Sequence, residues 1–213
     1  MDYRTLLHIV GDEPVFETGL LLAGPVNPAD VRRQLSRWTA SGRLHQLRRG
    51  LYALAPPYQK VRPHPFLVAN SLVGGSYVSL QSALAHYNLI PEYVAQTTSV
   101  TTARPASWKT PLGVYSFRHI KADLFYGYRR VDLGGEQHAF VASPEKALLD
   151  LAYLQPGGDA PPYLRGLRLQ NLERLDLEEL GRLAERAHSP KLRRAAAFIA
   201  EMAQAEAREY ETL

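Results

Sequence analysis

The chain has 213 residues, 46% of them hydrophobic, and 25 Lys/Arg against 21 Asp/Glu give a formal charge of +4. That length holds one large domain or two small ones, and the hydrophobic content suits a packed globular protein rather than a disordered chain. Cysteine is absent, which excludes disulfides, thiol nucleophiles and thiolate metal sites, and no run approaches the roughly 18 apolar residues of a membrane span.

The start, MDYRTLLHIVGDE, lacks the basic n-region and long apolar run of a signal peptide, so a cytoplasmic protein is expected. Asp2 is placed to cap a first helix that turns Tyr3, Leu6, Leu7 and Val10 to one face. Gly11-Asp12-Glu13-Pro14 breaks it. Val15-Phe16 reads as a short extended piece, and Thr18 as the cap of a brief helix over 19–23. Gly24-Pro25-Val26 is then a turn.

Residues 27–54, NPADVRRQLSRWTASGRLHQLRRGLYAL, carry the strongest local signals. Asn27 can accept from the unsatisfied amides of a first turn, Pro28 fits the first helical position, and Gly42 can take the left-handed conformation that ends the helix. Val31, Leu35 and Trp38 recur as one apolar stripe. At about 100° per residue, Arg33, Ser36 and Arg37 point the other way, with Arg32 on the flank. Leu44 to Leu47 and Leu51 to Leu54 read as two strands around the turn Arg48-Arg49-Gly50. A helix with arginines on its outer face followed by a hairpin with an arginine tip predicts a winged helix-turn-helix, whose second helix enters the major groove. Residues 1–60 hold eight Lys/Arg against five Asp/Glu, and residues 32–49 hold six arginines and no acid. Such clustering is the footprint of phosphate binding, although a merely solvated helix face is the commoner arrangement in general. Arg32, Arg33, Ser36 and Arg37 are the expected groove contacts, with Arg48 and Arg49 on phosphate or in the minor groove.

Residues 55–65 contain four prolines and read as an extended, stiff domain boundary. Beyond it, a helix over 66–72 is predicted, then an extended Tyr77-Val78, then a helix over 80–87 capped by Ser79. Its buried face is Leu80, Ala83, Leu84 and Tyr87, and His86 beside that face is expected to be a hydrogen-bonded residue rather than a ligand. From 97 to 141 the period becomes that of strands: 97–102, a hairpin over 108–112 and 114–119, then 124–128 and 138–141. Arg104, Lys109, Arg118, Lys121, Arg129 and Arg130 gather in this block as a candidate second basic surface, for DNA or an acidic partner. Ordinary outward-facing charges on a sheet are the equal alternative. Ser143 and Pro144 start the clearest helix of the second half, with Ala147, Leu148, Leu151 and Leu154 buried. Residues 155–162 form a loop, and amphipathic helices follow over 176–187 and from 190 to about 208.

No nucleotide-binding glycine loop, zinc-protease or nucleophile-elbow motif occurs. The acids of the strand block, Asp123, Asp132 and Glu136, fall in expected turns rather than in the carboxylate cluster that metal-dependent nuclease chemistry needs. Glu145, Lys146 and Asp150 share one helix, where capping and ion pairing account for them. No enzyme, cofactor, metal or catalytic residue is expected.

In order along the chain, RRGLYAL, YVSLQSALAHYNLIPE, TSVTTARP, FYGY and ASPEKALLDLAYL resemble the AbiE-type (AbiEi family) antitoxins of type IV toxin–antitoxin systems. The resemblance covers about 16–154. It implies a winged helix-turn-helix that represses its own operon by binding double-stranded promoter DNA, and self-association on that DNA is a further possible interaction of the chain. It also implies a C-terminal domain that counters a nucleotidyltransferase-type toxin. The expected fold class is therefore α+β: a winged helix-turn-helix over 1–55, a proline-rich linker over 56–65, and a mixed sheet-plus-helices domain over 66–213 ending in a helical tail. Two other readings fit the residues, a stand-alone regulator whose C-terminal domain oligomerises or senses a ligand, and a DNA-acting enzyme targeted by a winged helix.

Overall fold

The computed structural model describes residues 1–92 and 94–211. The fold is α+β, with two hydrophobic cores of unequal size. The smaller core begins at α1 (Tyr3–Val10), where the Asp2 side chain accepts from Thr5 N as expected. β1 (Phe16–Glu17) and a 3-10 helix (Thr18–Leu22) follow. Thr18 is not a cap: its amide and hydroxyl both donate to Gly50 O, so this short helix grips the turn of the next hairpin. α2 (Pro28–Ala40) is capped by Asn27 through Ala29 N, a contact worth about 1 kcal/mol. Val31, Leu35 and Trp38 are buried against Leu6, Val10, Phe16 and Leu21, and each such side chain contributes up to about 1.5–3 kcal/mol. Gly42 at φ +72° then turns the chain into β2 (Leu44–Arg48) and β3 (Leu51–Leu54), which form a three-stranded sheet in the order β1-β3-β2.

The hairpin serves both cores. Leu44, Tyr52 and Leu54 pack into the smaller one, whereas Leu47, Leu51 and Ala53 join the larger. The proline-rich stretch is correspondingly strapped down rather than a free spacer. Gln137 accepts from His64 N at 2.7 Å and donates to Arg62 O at 3.0 Å, Pro63 is buried, and Lys60 pairs with Asp12.

The larger core surrounds a six-stranded sheet in the order β6-β7-β5-β4-β9-β8, with β4 at Ser76–Val78, β5 at Thr97–Thr101, β6 at Ala106–Thr110, β7 at Gly113–His119, β8 at Tyr128–Asp132 and β9 at His138–Ala142. β4 runs antiparallel to β5 and parallel to β9, so the sheet is mixed. The strand expected over 124–128 starts later: Leu124 ends a 3-10 turn (Ala122–Leu124) and β8 begins at Tyr128. α3 (Pro65–Leu72), α4 (Leu80–His86), α5 (Pro144–Leu154), α7 (Leu177–Arg186) and α8 (Pro190–Glu211) cover the sheet or one another. α6 (Pro161–Gly166) occupies part of the expected loop. No helix among the described residues is long and apolar enough to cross a membrane.

Like Thr18, Ser79 is not the cap expected of it, whereas α3 gains a cap from His64. His64 caps α3, its ring Nδ1 accepting from Phe66 N at 3.1 Å. Ser79 makes no cap bond to α4, because its hydroxyl donates instead to Asp150 Oδ2 at 2.8 Å. Asp150 also accepts from the Tyr77 hydroxyl at 3.0 Å and from Lys146 Nζ, and both members of the ion pair are almost fully buried. Glu145 is buried too and accepts from Asp176 N.

Removing one partner of a buried ion pair leaves an uncompensated charge at a cost of about 3–5 kcal/mol, whereas an apolar replacement of both is often neutral or stabilising. Asp150→Asn should therefore lower unfolding free energy by that amount in a urea titration, and Lys146→Met with Asp150→Asn should recover most of it, because no charge is left buried and the Asn carbonyl oxygen still accepts from Tyr77 and Ser79. A second prediction concerns acid. Burial holds the His64 imidazole below its ordinary value of 6.5, with His86 adding to the effect, and burial followed by the Arg129 charge does the same to His86. The unfolded chain then binds more protons, so stability present above pH 6.5 is lost as pH falls from there toward the lower folded values. Melting temperature should drop across that interval, and less in His64→Asn/His86→Asn.

Candidate nucleic-acid interface

α2 presents its two faces to different surroundings. The Val31, Leu35 and Trp38 stripe anchors it, and on the other side Arg32, Arg33, Ser36 and Arg37 are all exposed. Among the described residues the one ion pair on this face is between Arg33 Nη1 and Asp30 Oδ1 at 3.2 Å, with both side chains well exposed, a geometry worth little in water and readily exchanged for a phosphate or a base edge. Arg43, absent from the expected set, adds to the same end of the helix. It is exposed, its guanidinium lies 5.1 Å from the centroid of the Tyr3 ring, and Tyr3 donates its hydroxyl to Arg43 O. The sequence signal for Arg43 is its membership of the acid-free run of six arginines from 32 to 49. Burial and the neighbouring Tyr58 push the Tyr3 phenol up to about 12, against the opposing pull of Arg43.

The two arginines at the hairpin tip have different fates. Arg49 is exposed. Arg48 is turned inward: Nη2 donates to Glu17 Oε1 at 3.0 Å and to Ser71 O at 3.2 Å, and Nη1 to Arg49 O. A bulge between Gln46 and Arg48 re-aims the strand end, as bulges do. Arg48 thus ties β1, the hairpin and α3 together, and its charge is largely spent on Glu17.

The six residues expected as a second basic surface do not form one. β8 lies at one edge of the sheet and β6 at the other, which puts Arg129 and Arg130 about four strand spacings, or roughly 19 Å, from Arg118 on β7. Arg129 and Arg130 are consecutive in β8 and so face opposite ways. Lys109 pairs with Val114 toward the hairpin end of β6–β7. Arg104, Arg118 and Lys121 remain together, because Thr101 opposes His119, whose ring nitrogen lies 3.0 Å from Ala103 O. Thr101 also donates to Gly75 O, four residues past the Ser71 carbonyl that receives Arg48, and β2 lies near β6. These three exposed cations therefore lie at the end of the sheet toward the hairpin tip and Arg49.

No group of three or more His, Asp or Glu side chains placed to hold a metal ion occurs among the described residues. Lys146 and Asp150, the pair with the most unusual surroundings, are sealed at 3% and 2% side-chain exposure. No protein-family model matches the chain, and no curated protein matches it.

Arg48→Ala removes charge-assisted bonds from a half-buried site and should cost about 1–3 kcal/mol of stability. Arg49→Ala should leave the denaturation midpoint within experimental error. Equal destabilisation by both would refute the different roles given to the two side chains.

Proposed function

We propose that the protein is a DNA-binding autorepressor of antitoxin type whose N-terminal part acts as a winged helix-turn-helix. The observation that carries this reading is the exposed set Arg32, Arg33, Ser36 and Arg37 on α2, a helix capped at its start, anchored by three buried side chains and followed at once by a basic-tipped hairpin. The 3-10 helix Thr18–Leu22 takes the place of the bracing helix, α2 enters the major groove, and Arg33 or Arg37 meets guanine O6/N7 or phosphate. Arg49 meets the sugar–phosphate backbone, and Arg104, Arg118 and Lys121 extend the cationic surface. Arg129, Arg130 and Lys109 are left out of it.

The larger half supports self-association on the operator and counters a nucleotidyltransferase-type toxin. That part of the reading rests on the resemblance carried by YVSLQSALAHYNLIPE and ASPEKALLDLAYL. The chain works by binding and not by catalysis.

Fluorescence-anisotropy titration with DNA upstream of the protein's own operon tests the first part. Arg33→Ala or Arg37→Ala should weaken specific binding by about 1–3 kcal/mol where the side chain pairs a base. Arg49→Ala should lower affinity for all sequences and flatten the log–log salt slope by about one. Unchanged affinity in both helix variants removes α2 from the interface. Co-expression of the full chain with a nucleotidyltransferase encoded beside it tests the second part: restored growth is expected, and continued arrest counts against the antitoxin role.

A further inference from the structure

A second surface, unlike the first in chemistry, opens where the two cores meet. It is a groove of about 710 Å³. One wall comes from the end of α1 and the Thr18–Leu22 helix, the other from Val61, α3 and the turn between β8 and β9. Its apolar floor is Ile9, Leu20, Val61 and Leu67, and these four side chains belong to neither core. Ile9 and Leu20 are 39% and 42% exposed, two of the few large apolar side chains the described surface leaves so open. Exposed apolar groups gathered in one concavity, rather than scattered, mark an interaction site.

The rim has a definite sign. Asp12, Glu13 and Glu136 line it and are exposed, in a chain whose net charge is +4. Lys60 already sets its ammonium 2.9 Å from Asp12 Oδ1 at this edge, which shows what kind of charge the rim accepts. Apolar floor and acidic rim together select an amphipathic segment with apolar anchors flanked by lysine or arginine, the groove-binding mode in which burial supplies affinity and charge supplies orientation.

We infer that this groove docks a basic, amphipathic peptide segment of a partner protein. The occupant touches elements of both cores at once, so it bridges the part that carries α2 and the part that carries the large sheet. The site shares no residue with the proposed DNA surface and does not depend on that reading.

The test is selection of a phage-displayed random dodecapeptide library on the full-length protein, with the Leu20→Arg variant as counter-selection. The expected winners combine apolar residues with Lys or Arg. A synthetic winner, titrated by anisotropy, should lose about tenfold or more in affinity on Ile9→Ser/Leu20→Ser and on Glu13→Lys/Glu136→Lys, and should weaken as salt rises. The second variant changes only exposed charges and so keeps the test valid if the first is poorly folded. Three results overturn the inference: no enrichment over Leu20→Arg, enrichment of acidic sequences, or affinity unchanged in both double variants. Concentration-dependent dimerisation that Leu20→Arg abolishes would assign the groove to a second copy of the chain, and that too overturns it.

Discussion

The larger half of the molecule is organised by one buried ion pair. Lys146 and Asp150 stand one turn apart on α5, removed from water, and their attraction offsets a desolvation cost of several kcal/mol per charge only because other groups satisfy what remains. Tyr77 on β4 and Ser79 at the head of α4 both donate to Asp150. The ammonium lies 5.6 Å and 5.3 Å from the Tyr77 and Tyr126 ring centroids, within cation–π range. Burial pushes the Asp150 carboxyl up, while Lys146, Ser79 and Tyr77 pull it down. Burial, then the Asp150 charge, pushes the Tyr77 phenol above its ordinary value. The packing over Lys146 is equally exacting. Gly127 sits at φ +72°, and a β-carbon there would lie about 3.0 Å from the Lys146 side chain, so any side chain at this position strains the backbone and crowds Lys146. Tyr126 extends the network by donating to Leu183 O on α7. One pair thus sets the mutual positions of a strand and three helices.

What the large core fixes, the hairpin transmits. Alternate sides of β2 and β3 face different cores, with Leu47 and Leu51 on one and Leu44, Tyr52 and Leu54 on the other. Arg48 reaches from the hairpin to the α3 carbonyl of Ser71 and to Glu17, and Thr18 holds the Gly50 turn. A hairpin clamped at both its turn and its apolar faces cannot be repositioned without disturbing both cores. The outward angle of α2 is therefore a property of the whole chain, and a cut at the proline-rich stretch would divide packing that the two halves share.

Local chemistry was legible in the sequence and long-range chemistry was not. Asp2, Asn27 and Ser143 cap their helices as read, because a cap is satisfied within three residues of itself. Thr18 and Ser79 have the same chemistry and the same position before a helix, yet their hydroxyls go to Gly50 and Asp150, partners 32 and 71 residues away. The shared helix made ion pairing among Glu145, Lys146 and Asp150 legible, and Lys146 does pair with Asp150, but not the burial of all three beside the apolar stripe. Periodicity cannot announce the burial of a pair whose remaining partners are a tyrosine and a serine on other elements. Strand order explains the other large revision. The run of basic residues from 104 to 130 looks like one group along the chain, but the insertion of β5, β4 and β9 between β7 and β8 separates it into distant parts. The exposed arginines of α2 were the most legible feature of the candidate interface, since four residues at helical spacing need no tertiary information to share a face.

Charge also separates the two proposed surfaces in space. The six arginines from 32 to 49 carry no acid among them, while Asp12, Glu13 and Glu136 collect at the groove by Ile9 and Leu20. Over distances beyond about 8–10 Å, physiological salt screens one exposed group of charges from another, which would let each proposed surface keep its own sign. The link between them is mechanical: Leu20 lies in the same 3-10 helix whose first residue, Thr18, holds the hairpin turn at Gly50. The element that lines the proposed groove is thus also the one that holds the turn of the basic hairpin.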